Sequence, residues 1–181
     1  MAKKSVFDDL LKSPFILAFS EKNKDFDKLN TISSDCLHVD LSVSKDLKMS
    51  FMEELGLKRL PVVIYKRKAI YAEDNFEKKF DEININFYKN FVDSFTSKAK
   101  YAVFIKGTIE NPYCKYTKQL VSLLKEFKIT DVVDFDIFTD EDMRYYLKQI
   151  NSWETYPMIY VNGNFLGGLD VFKRYVETEK L

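Results

Sequence analysis

The strongest constraint on the fold is an arrangement of elements that occurs twice in the chain. In the first half, Pro61 precedes the apolar run 62–65, a basic turn and further chain of strand-like composition. In the second half, Pro157 precedes the apolar run 158–161, an Asn-Gly-Asn hairpin turn and a second strand. Other strands and helices alternate before each copy. The chain is therefore predicted to be α/β and to contain one architecture twice.

Composition argues against two classes of partner. The 181 residues can form two small domains, and 46% of them are hydrophobic, which is enough for two cores. Lys and Arg total 28 against 28 Asp and Glu, so we expect no basic surface for nucleic acid. No apolar run is long enough to cross a membrane. The first nine residues lack the apolar centre of a secretory signal.

The two cysteines lie in different halves of the chain, so no disulfide framework is predicted. A reducing compartment, the cytoplasm or also the nucleus, is the expected location. Cys36 precedes a predicted strand and is interpreted as an inert or partly buried thiol. His38 is the sole histidine and has no partner for a metal site.

Cys114 lies where a strand-to-helix connection ends. It follows the apolar run 101–105 and precedes the segment 118–127, whose apolar residues recur at helical spacing. Free backbone N–H groups and the helix dipole stabilise a thiolate at such a position, and Lys106 and Lys115 are nearby cations. On spacing alone, a small buried hydrophobic residue is an equally good interpretation of Cys114.

Further residues of the second half follow a characteristic order. They are Lys106-Gly107-Thr108, Pro112, Cys114, Trp153, Thr155, Pro157, Val161-Asn162-Gly163 and Gly167-Gly168-Leu169-Asp170. Residues 86–181 therefore resemble a monothiol glutaredoxin of the class whose active site reads Cys-Gly-Phe-Ser. Residues 1–85 resemble a thioredoxin domain more weakly, through the order of elements and Pro61, and they lack redox cysteines. The whole resembles the multidomain cytosolic glutaredoxins.

This resemblance implies two tandem thioredoxin-fold domains, each a central mixed four- to five-stranded sheet flanked by helices. We expect a hinge near 80–86 and the first helix of the second domain at 86–97. It also implies a glutathione site with a cis bond before Pro157. Two cations would bind the glycine carboxylate, the backbone before Pro157 the cysteinyl unit, and the start of the last helix the γ-glutamyl end. The implied glutathione residues are Lys106, Tyr116, Arg144, Lys148, Tyr156, Pro157, Leu169 and Asp170. Taken alone, Arg144 and Lys148 are interpreted as a solvated helix face.

Three functions are compatible with these features. The first is binding and transfer of a 2Fe–2S cluster, with Cys114 as metal ligand in a glutathione-containing homodimer and with BolA-type proteins and iron–sulfur clients as partners. The second is a weak glutathione-dependent disulfide oxidoreductase with Cys114 as the catalytic residue; Thr117 at the position of a second cysteine excludes an intramolecular dithiol step. The third is a non-catalytic adaptor, the default role for residues 1–85.

One residue departs from the family pattern. Lys115 follows the cysteine where the family has glycine, whereas Tyr116 and Thr117 are conservative replacements. We expect the charge of Lys115 to lower the pKa of Cys114. We expect its bulk to weaken cluster retention, so that Lys115→Gly should lengthen the lifetime of a cluster.

Overall fold

The computed structural model describes residues 2–32 and 36–179. Their contacts divide into two compact units, the first ending at Ile83 and the second beginning at Asn84. The elements of the first unit, up to its last strand, are α1 (Ala2–Leu10), β1 (Phe15–Phe19), α2 (Lys24–Ile32), β2 (Leu37–Asp40), α3 (Lys45–Glu54), β3 (Val62–Tyr65) and β4 (Lys68–Ile70). The remaining elements are α4 (Phe76–Thr96), β5 (Tyr101–Ile105), α5 (Lys115–Glu126), β6 (Val132–Asp136), α6 (Glu141–Asn151), β7 (Met158–Val161), β8 (Asn164–Gly167) and α7 (Leu169–Thr178).

Each unit contains a mixed four-stranded sheet with the same topology. The strand orders are β2-β1-β3-β4 and β6-β5-β7-β8. In both sheets the first central strand pairs parallel with one neighbour and antiparallel with the strand that follows the proline. The prediction of two tandem thioredoxin-fold domains, each with a central mixed sheet and flanking helices, is confirmed. Both prolines, Pro61 and Pro157, follow cis peptide bonds.

The sheet of the second unit is covered by helices on both faces. On one face Phe104, Met158 and Tyr160 pack with residues of α4 and α6. On the other, alternate residues of the same strands, such as Val103 and Ile159, pack with α5 and α7. Successive strand residues point to opposite faces of the sheet. Because helices cover both faces, all residues of β5 and most residues of β7 are buried and apolar. The sheet is the middle of three layers, and the loops at the ends of its strands lie outside these layers, where they can form a site.

The segment expected to form a hinge is helical. Helix α4 continues through 80–86 and contains neither glycine nor proline, so no residue in it interrupts the helix. Phe80 and Ile83 pack in the core of the first unit. Tyr88, Val92 and Phe95 pack in the core of the second. The division after Ile83 therefore falls inside one helix, and the expected helix start at residue 86 was wrong.

Three elements escaped prediction: α1, α2 and β6. Few of the described side chains of α1 and α2 are buried, and all residues of β6 are half-buried, so the apolar patterns of these elements are weak. Among the described residues, no helix combines the length and the apolar character needed to cross a bilayer.

Candidate functional site

Cys114 is the N-cap residue of α5. Its backbone is extended, and its sulfur accepts a hydrogen bond from the backbone N–H of Thr117 at 3.4 Å. The Thr117 hydroxyl lies 3.3 Å from the same sulfur and is buried. That hydroxyl oxygen also accepts a hydrogen bond from the backbone N–H of Lys106, at 3.3 Å. Its own proton is thereby free to point at the sulfur, and the arrangement favours a thiolate.

The pKa of the Cys114 thiol reflects two opposing effects. Burial raises the pKa. It is lowered by hydrogen bonds from the side chain and backbone of Thr117, by the backbone N–H of Tyr116 and by the charge of Lys106. The net result is a pKa below the ordinary value of a cysteine.

Lys106 and Lys115 were both expected to act as cations on the thiol, and the effect of Lys115 on its pKa stays a prediction. Lys106 is the cation that lowers the pKa of Cys114. The Nζ atom of Lys115 instead lies 4.9 Å from the centre of the Tyr116 ring, in a cation–π contact. The side chain is therefore engaged with its neighbour along the helix rather than with the sulfur.

The connection from β5 to Cys114 is a tight, hydrogen-bonded loop. The backbone N–H of Tyr113 donates to the carbonyl of Lys106, and that of Thr108 donates to the carbonyl of Asn111. Gly107 has a φ of 82°, and a Cβ added there would lie 2.4 Å from the carbonyl oxygen of Asn111. Only glycine fits this position, because both the backbone angle and the space exclude a side chain.

Two carboxylates of β6 hold the same loop from the side. Asp134 accepts a hydrogen bond from the backbone N–H of Ile109 at 3.1 Å, and Asp136 accepts one from Gly107 at 3.0 Å. Neither aspartate was predicted as a site residue, because strand β6 was not predicted. The spacing of two residues between the aspartates was the available signal, since it puts both side chains on one face of a strand.

A groove of about 450 Å³ lies beside the start of α5. It brings together part of the predicted glutathione site: Tyr116, Tyr156, Pro157, Leu169 and Asp170. Trp153, Thr155 and Arg174 also line it and were not among the predicted site residues. Trp153 and Thr155 had been noted as part of the resemblance, whereas Arg174 lies in a helix that gave no specific signal.

The three predicted cations, Lys106, Arg144 and Lys148, are outside the groove lining. Lys106 is the first residue of the connection 106–113 between β5 and Cys114, which we call the cysteine loop. Arg144 lies over the exposed ring of Phe138, with its guanidinium carbon 5.6 Å from the ring centre. Lys148 forms an ion pair with Glu154 at 3.5 Å. Lys148 therefore already has an anionic partner.

Tyr156 links the cis-proline segment to α6. Its hydroxyl donates a hydrogen bond to the backbone carbonyl of Arg144 at 2.8 Å. Burial raises the pKa of Tyr156 well above its ordinary value, although the charge of Arg144 opposes the shift. Tyr156 is thus a neutral hydrogen-bond donor at physiological pH, and it fixes the groove against the helix that carries Arg144.

A single cysteine with a lowered pKa, at the start of the helix that follows the first strand of a mixed sheet and near a groove, is typical of a monothiol protein of the thioredoxin fold. Residues 95–166 match the glutaredoxin family. The second unit is accordingly a glutaredoxin domain, and several of the relatives of the chain are monothiol glutaredoxins.

The curated relatives are similar to the second unit. Human Glutaredoxin-3 is 43% identical over 86 residues, which are 48% of this chain and 25% of that protein. Monothiol glutaredoxin-4 of Saccharomyces cerevisiae is 37% identical over 99 residues, 55% of this chain and 38% of that protein. The chain thus spans well under half the length of these relatives. The solution structure of a monomeric truncated mutant of Trypanosoma brucei 1-C-Grx1 covers 51% of this chain and 83% of its own at 28% identity, with a TM-score of 0.45.

Proposed function

We propose that the glutaredoxin domain binds a 2Fe–2S cluster as cargo and passes it on. The supporting observation is that Cys114 is a single acidic thiol with Thr117 where a dithiol site needs a second cysteine. A 2Fe–2S cluster takes four ligands, ordinarily thiolates. Within the described residues, no group of three or more His, Cys, Asp and Glu side chains could hold a metal ion. One protomer is therefore insufficient, and two protomers with two glutathione thiolates complete the set.

Glutathione binding is proposed on the residues that line the groove and on the cations of the cysteine loop and α6, which lie outside that lining. Lys106 and Arg144 offer two cations to the glycine carboxylate, and Lys148 lies on the same helix as Arg144. The backbone of Tyr156, next to Pro157, pairs with the cysteinyl unit. Leu169 and Asp170, at the start of α7, hold the γ-glutamyl end, where the carboxylate of Asp170 accepts from the ammonium group. Tyr116, two residues after the cysteine, lines this groove.

The test is anaerobic reconstitution of the full chain with iron, sulfide and glutathione. Visible absorption, circular dichroism and native mass should report a cluster in a dimer that contains two glutathione molecules. Cys114→Ser should abolish it, and the matched control Cys36→Ser should leave it unchanged. A cluster that forms without glutathione, in a monomer, or in the Cys114→Ser variant would contradict the proposal.

A second function is favoured by the lowered pKa of Cys114. In a glutathione-dependent oxidoreductase, the thiolate attacks the glutathione sulfur of a mixed disulfide and releases the substrate thiol after protonation from water. A second glutathione thiolate then attacks the new disulfide, yielding oxidised glutathione and regenerating the Cys114 thiolate. Brisk turnover of a glutathionylated peptide by the apo protein, lost in Cys114→Ser, would favour this activity. Turnover at the background rate would exclude it.

We propose partners and a location for the protein on the basis of the family resemblance. Cluster exchange would involve BolA-type proteins and iron–sulfur client proteins in the cytoplasm or nucleus. The first unit, residues 1–85 in the proposed division, would act as an adaptor. Its single cysteine, Cys36, lies away from the end of β1, where a thioredoxin carries its redox pair.

A further inference from the structure

One carboxylate oxygen joins two loops of the second unit. Oδ1 of Asp136 accepts a hydrogen bond from the backbone N–H of Gly107 and another from that of Phe138, each at 3.0 Å. Asp136 is the last residue of β6, so both bonds are made where that strand ends. Each bond to a charged acceptor is stronger than an ordinary backbone hydrogen bond.

The two loops lead to different cations. The first is the cysteine loop, in which Lys106 immediately precedes Gly107. The second carries Phe138, whose half-exposed ring supports the guanidinium of Arg144 at 5.6 Å. The ring of Tyr113, from the cysteine loop, contacts Phe138 edge-on at 5.5 Å. A displacement of either loop would therefore change the spacing of the two cations.

We propose that Asp136 is a positioning residue that sets the spacing of Lys106 and Arg144, and thereby the recognition of the glycine carboxylate of glutathione. The inference rests on the proposed glutathione site. Two cationic side chains can bind one carboxylate together only if the distance between their charged groups is fixed. Long side chains such as those of Lys and Arg keep that distance only where their backbones are held in place. Asp136 accepts directly from the backbone of both loops; it acts on Lys106 through the neighbouring Gly107 and on Arg144 through the ring of Phe138.

The chain offers a matched control at the opposite end of the same strand pair. Asp131 accepts a hydrogen bond from the backbone N–H of Lys100 at 3.0 Å, just before β5. Removing that carboxylate costs one backbone-to-carboxylate bond, where removing Asp136 costs two, and it leaves the cysteine loop untouched. A general loss of stability would therefore weaken ligand binding in both Asp131→Ala and Asp136→Ala, whereas a positioning effect is restricted to Asp136.

The experiment compares two ligands that cannot exchange disulfides. S-methylglutathione carries the glycine carboxylate, and γ-glutamyl-S-methylcysteine lacks the glycine. Binding to the full chain is followed by the fluorescence of Trp153, the sole tryptophan, which lines the groove. Asp136→Ala should weaken S-methylglutathione by about five- to tenfold and leave the shorter ligand unchanged. Asp131→Ala should leave both affinities unchanged.

Two further variants sharpen the result. Asp136→Asn keeps an acceptor oxygen at the same place and should bind both ligands as the wild type does. Asp136→Glu keeps the charge but displaces the acceptor by one methylene, so it should show the selective loss even if Asp136→Ala fails to fold. Equal weakening of both ligands, or no weakening by Asp136→Glu, would overturn the inference. A wild-type protein that does not bind S-methylglutathione would overturn the proposed site itself.

Discussion

Thr117 has the largest influence on the chemistry of Cys114 among the groups that favour the thiolate. Its hydroxyl and its backbone N–H both bond to the sulfur, and its burial excludes water that could replace them. The sequence pointed to Thr117 as the position at which a second cysteine is missing and as a conservative replacement in the family pattern. The structure adds a positive role, because the hydroxyl occupies that position and supplies a hydrogen bond.

Thr117→Val keeps the shape of the side chain and removes this hydrogen bond. The pKa of Cys114 should rise, because the thiolate loses a donor while burial continues to oppose the charge. In a Cys36→Ser background, alkylation by iodoacetamide at pH 7 should slow by roughly three- to tenfold. At a pH above the thiol pKa of both proteins, the two rates should converge. Thr117→Ser retains the hydroxyl and should follow the parent; an unshifted pH profile for Thr117→Val would refute the role of the hydroxyl.

At the scale of elements, the loop between β5 and α5 requires a glycine at one position, Gly107. Gly107 takes a left-handed conformation where a Cβ would collide with main-chain oxygen of Asn111. Gly56, after α3, also has a positive φ, of 59°, but no atom lies within 4 Å of a Cβ built there. The two glycines separate the cost of the backbone angle from the cost of the collision.

Gly56→Ala should lower the free energy of unfolding by about 1 kcal/mol, the cost of the backbone angle. Gly107→Ala should cost roughly 2–5 kcal/mol, because the collision forces the loop to move as well. It should also weaken the binding of S-methylglutathione, whereas Gly56→Ala should not. Urea unfolding followed by circular dichroism measures the free energy of unfolding, and Trp153 fluorescence measures the affinity for S-methylglutathione. Equal stability losses in the two variants would show that the loop adapts to a side chain.

For the whole molecule, the sequence predicted the repeated architecture because the buried central strands are continuous apolar runs. The segments 101–105 and 158–161 coincide with β5 and β7. Helix α5 begins at Lys115, directly after Cys114, as predicted from the position of that cysteine before a segment of helical spacing. Strand β6 went unpredicted because its aspartates serve the loop rather than a solvent face. The cations of the candidate site were predicted by resemblance, but their supports, Asp136 and Phe138, were not.

The two units have separate apolar cores, and this leads to a prediction for the molecule as a whole. Phe51 is fully buried in the first unit, where it contacts Phe7 edge-on, and Phe172 is fully buried in the second. Truncation of either to alanine removes a large buried ring and should cost about 3–5 kcal/mol.

Because each cavity opens inside one core, the loss of stability should be local. Hydrogen exchange measured by mass spectrometry should show faster exchange in β1 and β3 for Phe51→Ala, with β5 and β7 protected as in the wild type. Phe172→Ala should give the reverse pattern and should also weaken ligand binding in the groove, because α7 carries Leu169 and Asp170. Equal loss of protection in both sheets, from either variant, would mean that the two cores unfold as one, and the first unit would then contribute stability to the glutaredoxin site.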